Sequence, residues 1–230
     1  MNPPLPPEFA HEYMQLVRRE SFLRGLLAGA LLTVLVMVAA VLFRPSQARA
    51  QTIPEQADQF RRPLTRYGLF VWGVGAPVST FAAQIHQESR WNEAAVSRVG
   101  ARGLAQFMPS TARWIQEAYP AELAGDVASA DWGMRALVRY NRWLWDRLPS
   151  PDRCERMAFT LAAYNGGLGW VNKRRAASPT PNTCLFAACD INPGVHPANQ
   201  RENEQYPRRI LLTIEPMYHA AGWGPGSCTH

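Results

Sequence analysis

The chain has 230 residues, of which 47% are hydrophobic and 18% charged, with a formal net charge of +6. This is enough for one domain with a sizeable core plus one apolar segment, and it excludes a disordered or collagen-like polymer. No basic run is long enough to argue for nucleic acid, and the mild positive excess suits an anionic polymer without requiring one.

The first seven residues are rich in proline. Gly25 to Phe43 is an uncharged run of 19 residues, close to the length that spans a bilayer as a helix. Arg18, Arg19 and Arg24 precede it and favour a cytoplasmic N-terminus. Ala48-Arg49-Ala50 follows it and resembles a signal-peptidase site, so the run reads either as a membrane anchor or as a long signal peptide. Either way the remaining chain faces the periplasm. Residues 1–24 are then a cytoplasmic or leader segment, 25–43 the apolar helix, and 44–76 a linker cleavable after Ala50. The domain occupies 77–222 and a tail 223–230.

Within the domain, a helix begins near Pro77, with Ser79 or Thr80 available to cap it. Val78, Phe81, Ala82 and Ile85 form its buried stripe, and Glu88 continues that side. An acid at the end of an apolar stripe is either a satisfied structural residue or a carboxyl whose pKa burial has raised. Gly100 to Met108 reads as a tight loop. Further helices are expected over 109–119, over 131–148 with Asp131 as cap, over 153–164, and around Trp170. Residues 176–200 read as a loop, and the last helix as 202–221, interrupted at Pro216. Lys173-Arg174-Arg175 reads as a solvated helix end. No alternating strand pattern appears, so the fold class is mainly α.

Cys154, Cys184, Cys189 and Cys228 all follow the apolar run, and three disulfide connectivities are open. A local bridge between Cys184 and Cys189 is reachable if the chain turns back, which leaves Cys154 for Cys228. The cysteine and histidine spacings fit no standard zinc pattern, so no metal or other cofactor is expected.

Glu88-Ser89-Arg90-Trp91-Asn92 is followed by Ala95 and Ser97, then by Gly100-Ala101-Arg102-Gly103-Leu104-Ala105-Gln106-Phe107-Met108-Pro109. Ala163-Tyr164-Asn165-Gly166-Gly167 comes later, and Glu202 to Tyr206 with Ile210 last. In this order and spacing the set resembles the soluble lytic transglycosylase domain, the goose-lysozyme-like fold of glycoside hydrolase family 23. The resemblance covers about residues 78–215. Pro207, where the family usually has valine, and the cysteine-bearing loop depart from it.

The resemblance implies a lysozyme-like helical domain that cleaves the bond between N-acetylmuramic acid (MurNAc) and N-acetylglucosamine (GlcNAc) in peptidoglycan. It implies Glu88 as acid and base and Tyr164 as the tyrosine that hydrogen-bonds it. Ser97, Gln106, Met108 and Asn165 would line the sugar cleft, with glycan strands as the partner. Many glycosidases pair two carboxylates, whereas this family is thought to use the sugar's own acetamido group and to release 1,6-anhydro ends. Glu93 and Asp131 are the other acids considered, and a solvated turn and a helix cap account for them. His86 should point away from Glu88, Trp132, Trp143 and Trp145 read as core more readily than as sugar platforms, and Arg102 could meet the peptide stem or water. A goose-type muramidase and a non-catalytic wall-binding scaffold are the competing readings. A membrane segment beside a bare catalytic domain is an architecture that suits phage lysis, a secretion or conjugation apparatus, or a housekeeping enzyme, with phage lysis slightly favoured.

Overall fold

The computed structural model describes residues 52–228, so the apolar run at 25–43 lies outside the described residues. Among the described residues no helix is long and apolar enough to cross a membrane. Regular structure there is helical, apart from isolated bridges between Val96 and Arg102 and between Arg102 and Phe107. We number the α-helices α1 (Asp58–Trp72), α2 (Val78–Ser89), α3 (Pro109–Ala118), α4 (Ala130–Arg147), α5 (Arg153–Gly166), α6 (Leu168–Ala177), α7 (Pro197–Arg208) and α8 (Glu215–Ala220). A π-helical stretch, Arg209–Ile214, joins the last two.

Two helices make the centre. Nine consecutive residues of α2, Val78 to His86, are buried, and so are seven of α5, Met157 to Ala163. Burial on all sides marks a helix surrounded by others. Helices α4, α6 and α7 pack around α5, while α1, α8 and the π stretch cover α2. Small residues make this possible: Ala82 and Ala83 on α2, and Ala158, Ala162 and Ala163 on α5, let neighbours approach closely.

Several sequence expectations need correction. Residues 58–72, expected to be linker, form α1. Its Phe60, Leu64 and Gly68 are buried, with Phe60 stacked on Trp91 at 5.6 Å. Glycines and a proline disguised a helix that carries Pro63 and Gly68 inside it; Pro63 stands in its second turn and Gly68 allows close contact with Ala76 and Val78. Ser79 and Thr80 do not cap α2. They are buried and bond instead to the chain's end, Ser79 to the Gly224 carbonyl at 2.6 Å and Thr80 to Glu215 at 2.6 Å. Ser129, not Asp131, caps α4 by accepting from the Trp132 N–H, and Asp131 is taken by Tyr67 and Arg135.

The last helical region starts earlier than expected, at Pro197, where proline fits a first turn. Pro216 opens α8; it has no N–H to bond back along the helix, and the chain widens to π geometry just before it. Arg174 is not solvated. It is 1% exposed and donates to Gln200, Asn203 and the Ile191 carbonyl, pinning the 176–200 loop to α7. Two disulfides, Cys154–Cys228 and Cys184–Cys189, complete the described residues' cross-links.

His86 points away from Glu88 and packs in the core. Its Nδ1 lies 3.0 Å from the Tyr218 hydroxyl, and that hydroxyl accepts from Trp91 Nε1 at 2.6 Å. Burial, helped by Arg90 and Arg209, lowers its pKa from 6.5 to about 4. Above pH 6.5 neither the folded nor the unfolded state is charged here. Below it the unfolded chain takes the proton first, so stability falls until about pH 4, by roughly 3 kcal/mol in all. Urea denaturation at pH 7.5 and 4.5 checks this. Wild type should lose more stability between those pH values than His86→Gln does, and equal losses would mean that His86 titrates normally.

Candidate active site

Glu88 stands on the last turn of α2, just before the chain turns sharply. Arg90 and Trp91 both take left-handed backbone conformations, at φ 52° and 65°. Such positions are uncommon for residues other than glycine and persist where the surroundings impose them. Here the buried Trp91 ring imposes them, held between Phe60, Tyr218 and Trp223. The result is that α2 stops one turn after its apolar stripe, and its acid faces a cleft.

The cleft has a volume of about 290 Å3 and is lined by Glu88, Ser97, Gln106, Met108, Tyr164 and Asn165, together with Ala101, Phe107, Tyr140 and Glu202. All six residues expected at the site therefore come together, from α2, the 97–108 loop and the end of α5. A second hollow of about 260 Å3 opens on the other side of Glu88, between Gln87, Gln205, Tyr206 and Arg209. Glu88, Asn165 and Glu202 border both.

The loop forms a stiff wall. The Ser97 hydroxyl accepts from the Ala101 N–H at 2.9 Å, and the Ser97 N–H donates to the Ala101 carbonyl at 2.9 Å. Gln106 is left-handed at φ 48°, and its side-chain amide holds that strain by donating to the carbonyls of Ala95 and Gly103. Phe107, part of the wall, packs on Tyr140 and Tyr164. Trp132 is buried, and Trp143 stacks on Tyr140 at 6.0 Å beside Trp114; Trp132 and Trp143 thus support the wall from behind and do not line the cleft.

The hydroxyl that reaches Glu88 is not that of Tyr164. Tyr206, from α7, donates to Glu88 Oε1, while Tyr164 donates to the Ala105 carbonyl at 2.7 Å. Burial, with Glu88's charge next, pushes both phenols well above their usual range, so each stays a donor. The Glu88 carboxyl itself is pushed up from 4.5 to about 8. Burial is the main cause and the charge of Glu202 adds to it, while the Tyr206 hydrogen bond opposes them. At neutral pH the acid therefore carries its proton.

Glu202 and Tyr206 are the two residues that sequence reasoning left without a role. They were visible only as part of a closing helix, but they stand four residues apart and so share one helix face. Glu202 brings a second carboxylate to the border of the cleft, accepting from Asn165 Nδ2 at 3.3 Å. Glu93 and Asp131 do not line it. Gly166 fits here because a Cβ would lie 2.4 Å from Asn203 Nδ2, and Gly167 ends α5 at φ 95°. No group of three or more His, Cys, Asp or Glu side chains able to hold a metal ion occurs among the described residues.

The family model described as "Transglycosylase SLT domain" matches residues 72–185, the stretch that supplies Glu88, the loop wall and Asn165. Over those residues the chain belongs to this family. Over 89 residues it is 36% identical to the membrane-bound lytic murein transglycosylase F of Haemophilus influenzae (strain PittGG), covering 38% of this chain and 17% of that protein. Over 139 residues it is 35% identical to the same-named protein of Pseudoalteromonas translucida (strain TAC 125), covering 58% of this chain and 26% of that one. An X-ray structure of an inactive mutant of the lytic transglycosylase Slt from Pseudomonas aeruginosa matches with a TM-score of 0.55 at 23% identity, over 74% of this chain and 25% of that one; this likeness shows the fold. The chain thus spans only about a sixth to a quarter of the length of these relatives. Tyr206 lies beyond the matched residues, on the helix that closes the site from the far side.

Proposed function

We propose that the SLT domain cleaves the MurNAc–GlcNAc β-1,4 bond of peptidoglycan by transglycosylation, on the periplasmic side of the inner membrane, to which the run at 25–43 anchors it. The observation that carries the chemistry is the placement of Glu88 at the meeting of two hollows, where a sugar chain can pass across it and where burial raises the pKa of its carboxyl. Glu88 gives its proton to the leaving oxygen as the C1–O bond breaks, and the substrate's 2-acetamido group holds the anomeric carbon. The ionised Glu88 then takes the proton of the C6 hydroxyl, whose oxygen bonds to C1. One bond is broken, one is formed, the acid recovers its proton and no water is consumed.

The tyrosines divide the work. Tyr206 steadies the ionised Glu88, and Tyr164 fixes the loop wall through Ala105. Because activity requires the proton, kcat/KM should fall as pH rises through about 8. Tyr206→Phe removes the contact that lowers the Glu88 pKa, so this limb should move up by about one pH unit. Tyr164→Phe should leave it in place. A pH–rate series on soluble muropeptide substrate measures both, and an unmoved limb in Tyr206→Phe would mean that its hydroxyl does not govern the acid.

Glu202 favours one alternative, a muramidase in which the second carboxylate activates water. Mass spectrometry of fragments released from purified sacculi separates the two. Transglycosylation gives ends lighter by one water, 1,6-anhydroMurNAc. Reducing ends that disappear in Glu202→Gln would instead establish hydrolysis.

A further inference from the structure

We infer that the outer face of α1 lies against an anionic lipid surface, a reading that rests on the proposed membrane anchor. Helix α1 buries Phe60, Leu64 and Gly68. On its opposite side Arg62, Arg66, Leu69 and Phe70 follow one another at i, i+4, i+7 and i+8, so they form one ridge along the helix. All four are exposed, Phe70 to 74%, and Val74 just beyond the helix is 93% exposed. A fully open aromatic beside an open leucine and valine is unusual on a surface made only for water.

The ridge stands between two hollows. One, of about 560 Å3, runs between Arg61, Arg62, Leu69 and the Gly222–Gly224 turn. The other, of about 460 Å3, lies between Phe70, Val71, Ala121 and Leu123 and is mostly apolar. Among the described residues neither Arg62 nor Arg66 has a carboxylate partner; Arg66 only touches Tyr67, by a 3.3 Å hydrogen bond and over its ring. Exposed apolar side chains beside arginines that have no carboxylate partner among the described residues fit the boundary of a bilayer. There the apolar groups enter the acyl region and the guanidinium groups meet lipid phosphates.

Chain length agrees. Fourteen residues, 44 to 57, separate the end of the apolar run from α1. Even fully extended they span about 50 Å, so anchoring holds α1 near the membrane at high local concentration.

The test uses the full chain with photoreactive benzoyl-phenylalanine in place of Phe70, reconstituted into phosphatidylethanolamine/phosphatidylglycerol vesicles. Illumination should give a lipid adduct at position 70, and the same probe at Met108 should give none. Arg62→Gln with Arg66→Gln, or replacement of phosphatidylglycerol by phosphatidylcholine, should lower the adduct several-fold. Adducts to a second copy, or no adduct from a chain that resists alkaline carbonate extraction, would overturn the assignment of this face. Release by carbonate of a chain that nonetheless forms the adduct in anionic vesicles would overturn only the anchor and support the face.

Discussion

Glu88→Gln should give a folded protein that no longer clears sacculi and that melts at a higher temperature than wild type. The loss of activity follows from the double use of one carboxyl. A glutamine can neither give a proton to the leaving oxygen nor take one from the C6 hydroxyl, and positioned proton transfer contributes about 10²–10⁴ in rate. A drop of at least about 10³ is expected, since both steps fail.

The gain in stability follows from the raised pKa. Between pH 4.5 and about 8 the unfolded chain ionises Glu88 while the folded protein keeps it protonated. Folding at pH 7 therefore works against that ionisation, by up to roughly 3 kcal/mol and by about 2 once the open edge of the carboxyl is allowed for. Glutamine removes the penalty and keeps an oxygen for the Tyr206 hydroxyl. For a domain of this size the melting point should rise by roughly 4–8 °C at pH 7, and by much less at pH 5, where both states hold the proton more nearly equally. Calorimetry at the two pH values, beside turbidity assays, checks both halves. Clearing near the wild-type rate would remove Glu88 from the mechanism. An equal melting point at both pH values would mean that the carboxyl titrates normally.

The helices that carry the site were legible because their signals are local. The stripe of α2 and the glycines ending α5 can each be read within a dozen residues. What was missed depends on partners distant in sequence. Tyr206 and Glu88 are 118 residues apart, and nothing near either tells which tyrosine will arrive. Tyr164 was the expected partner because it belongs to the same motif set, yet Phe107 and Tyr140 tilt it towards the loop wall. Likewise Arg174 looked like a surface cation until Gln200 and Asn203, supplied by another helix, gave its guanidinium enough acceptors to be buried. Helix α1 was lost for a different reason. Its glycine and proline are poor helix formers in isolation, and packing against α4 and α2 outweighs them.

The second large effect concerns the two disulfides, which should differ sharply in what they contribute. Cys154–Cys228 spans 74 positions and Cys184–Cys189 only 5. Restricting the unfolded chain is the main source of disulfide stability, and it grows with the loop closed: about 4.5 kcal/mol for the long loop against roughly 2 for the short one. The structure adds to the difference. The Cys228 N–H bonds to the buried Glu215 carboxylate at 2.9 Å, as do the Ser227 N–H at 3.1 Å and the Thr80 hydroxyl at 2.6 Å, so the long bridge locks the chain's end beneath α2. Removing it frees a segment on which the buried polar groups Ser79 and Thr80 of α2 depend. Cys154→Ala with Cys228→Ala should lower the melting point by about 9–18 °C, and Cys184→Ala with Cys189→Ala by less than half of that. The same order should appear when wild type is melted with and without reductant. Equal shifts for the two pairs would show that loop length is not what the bridges act through, and a larger loss from the short bridge would place the fold's weak point in the 176–200 loop instead.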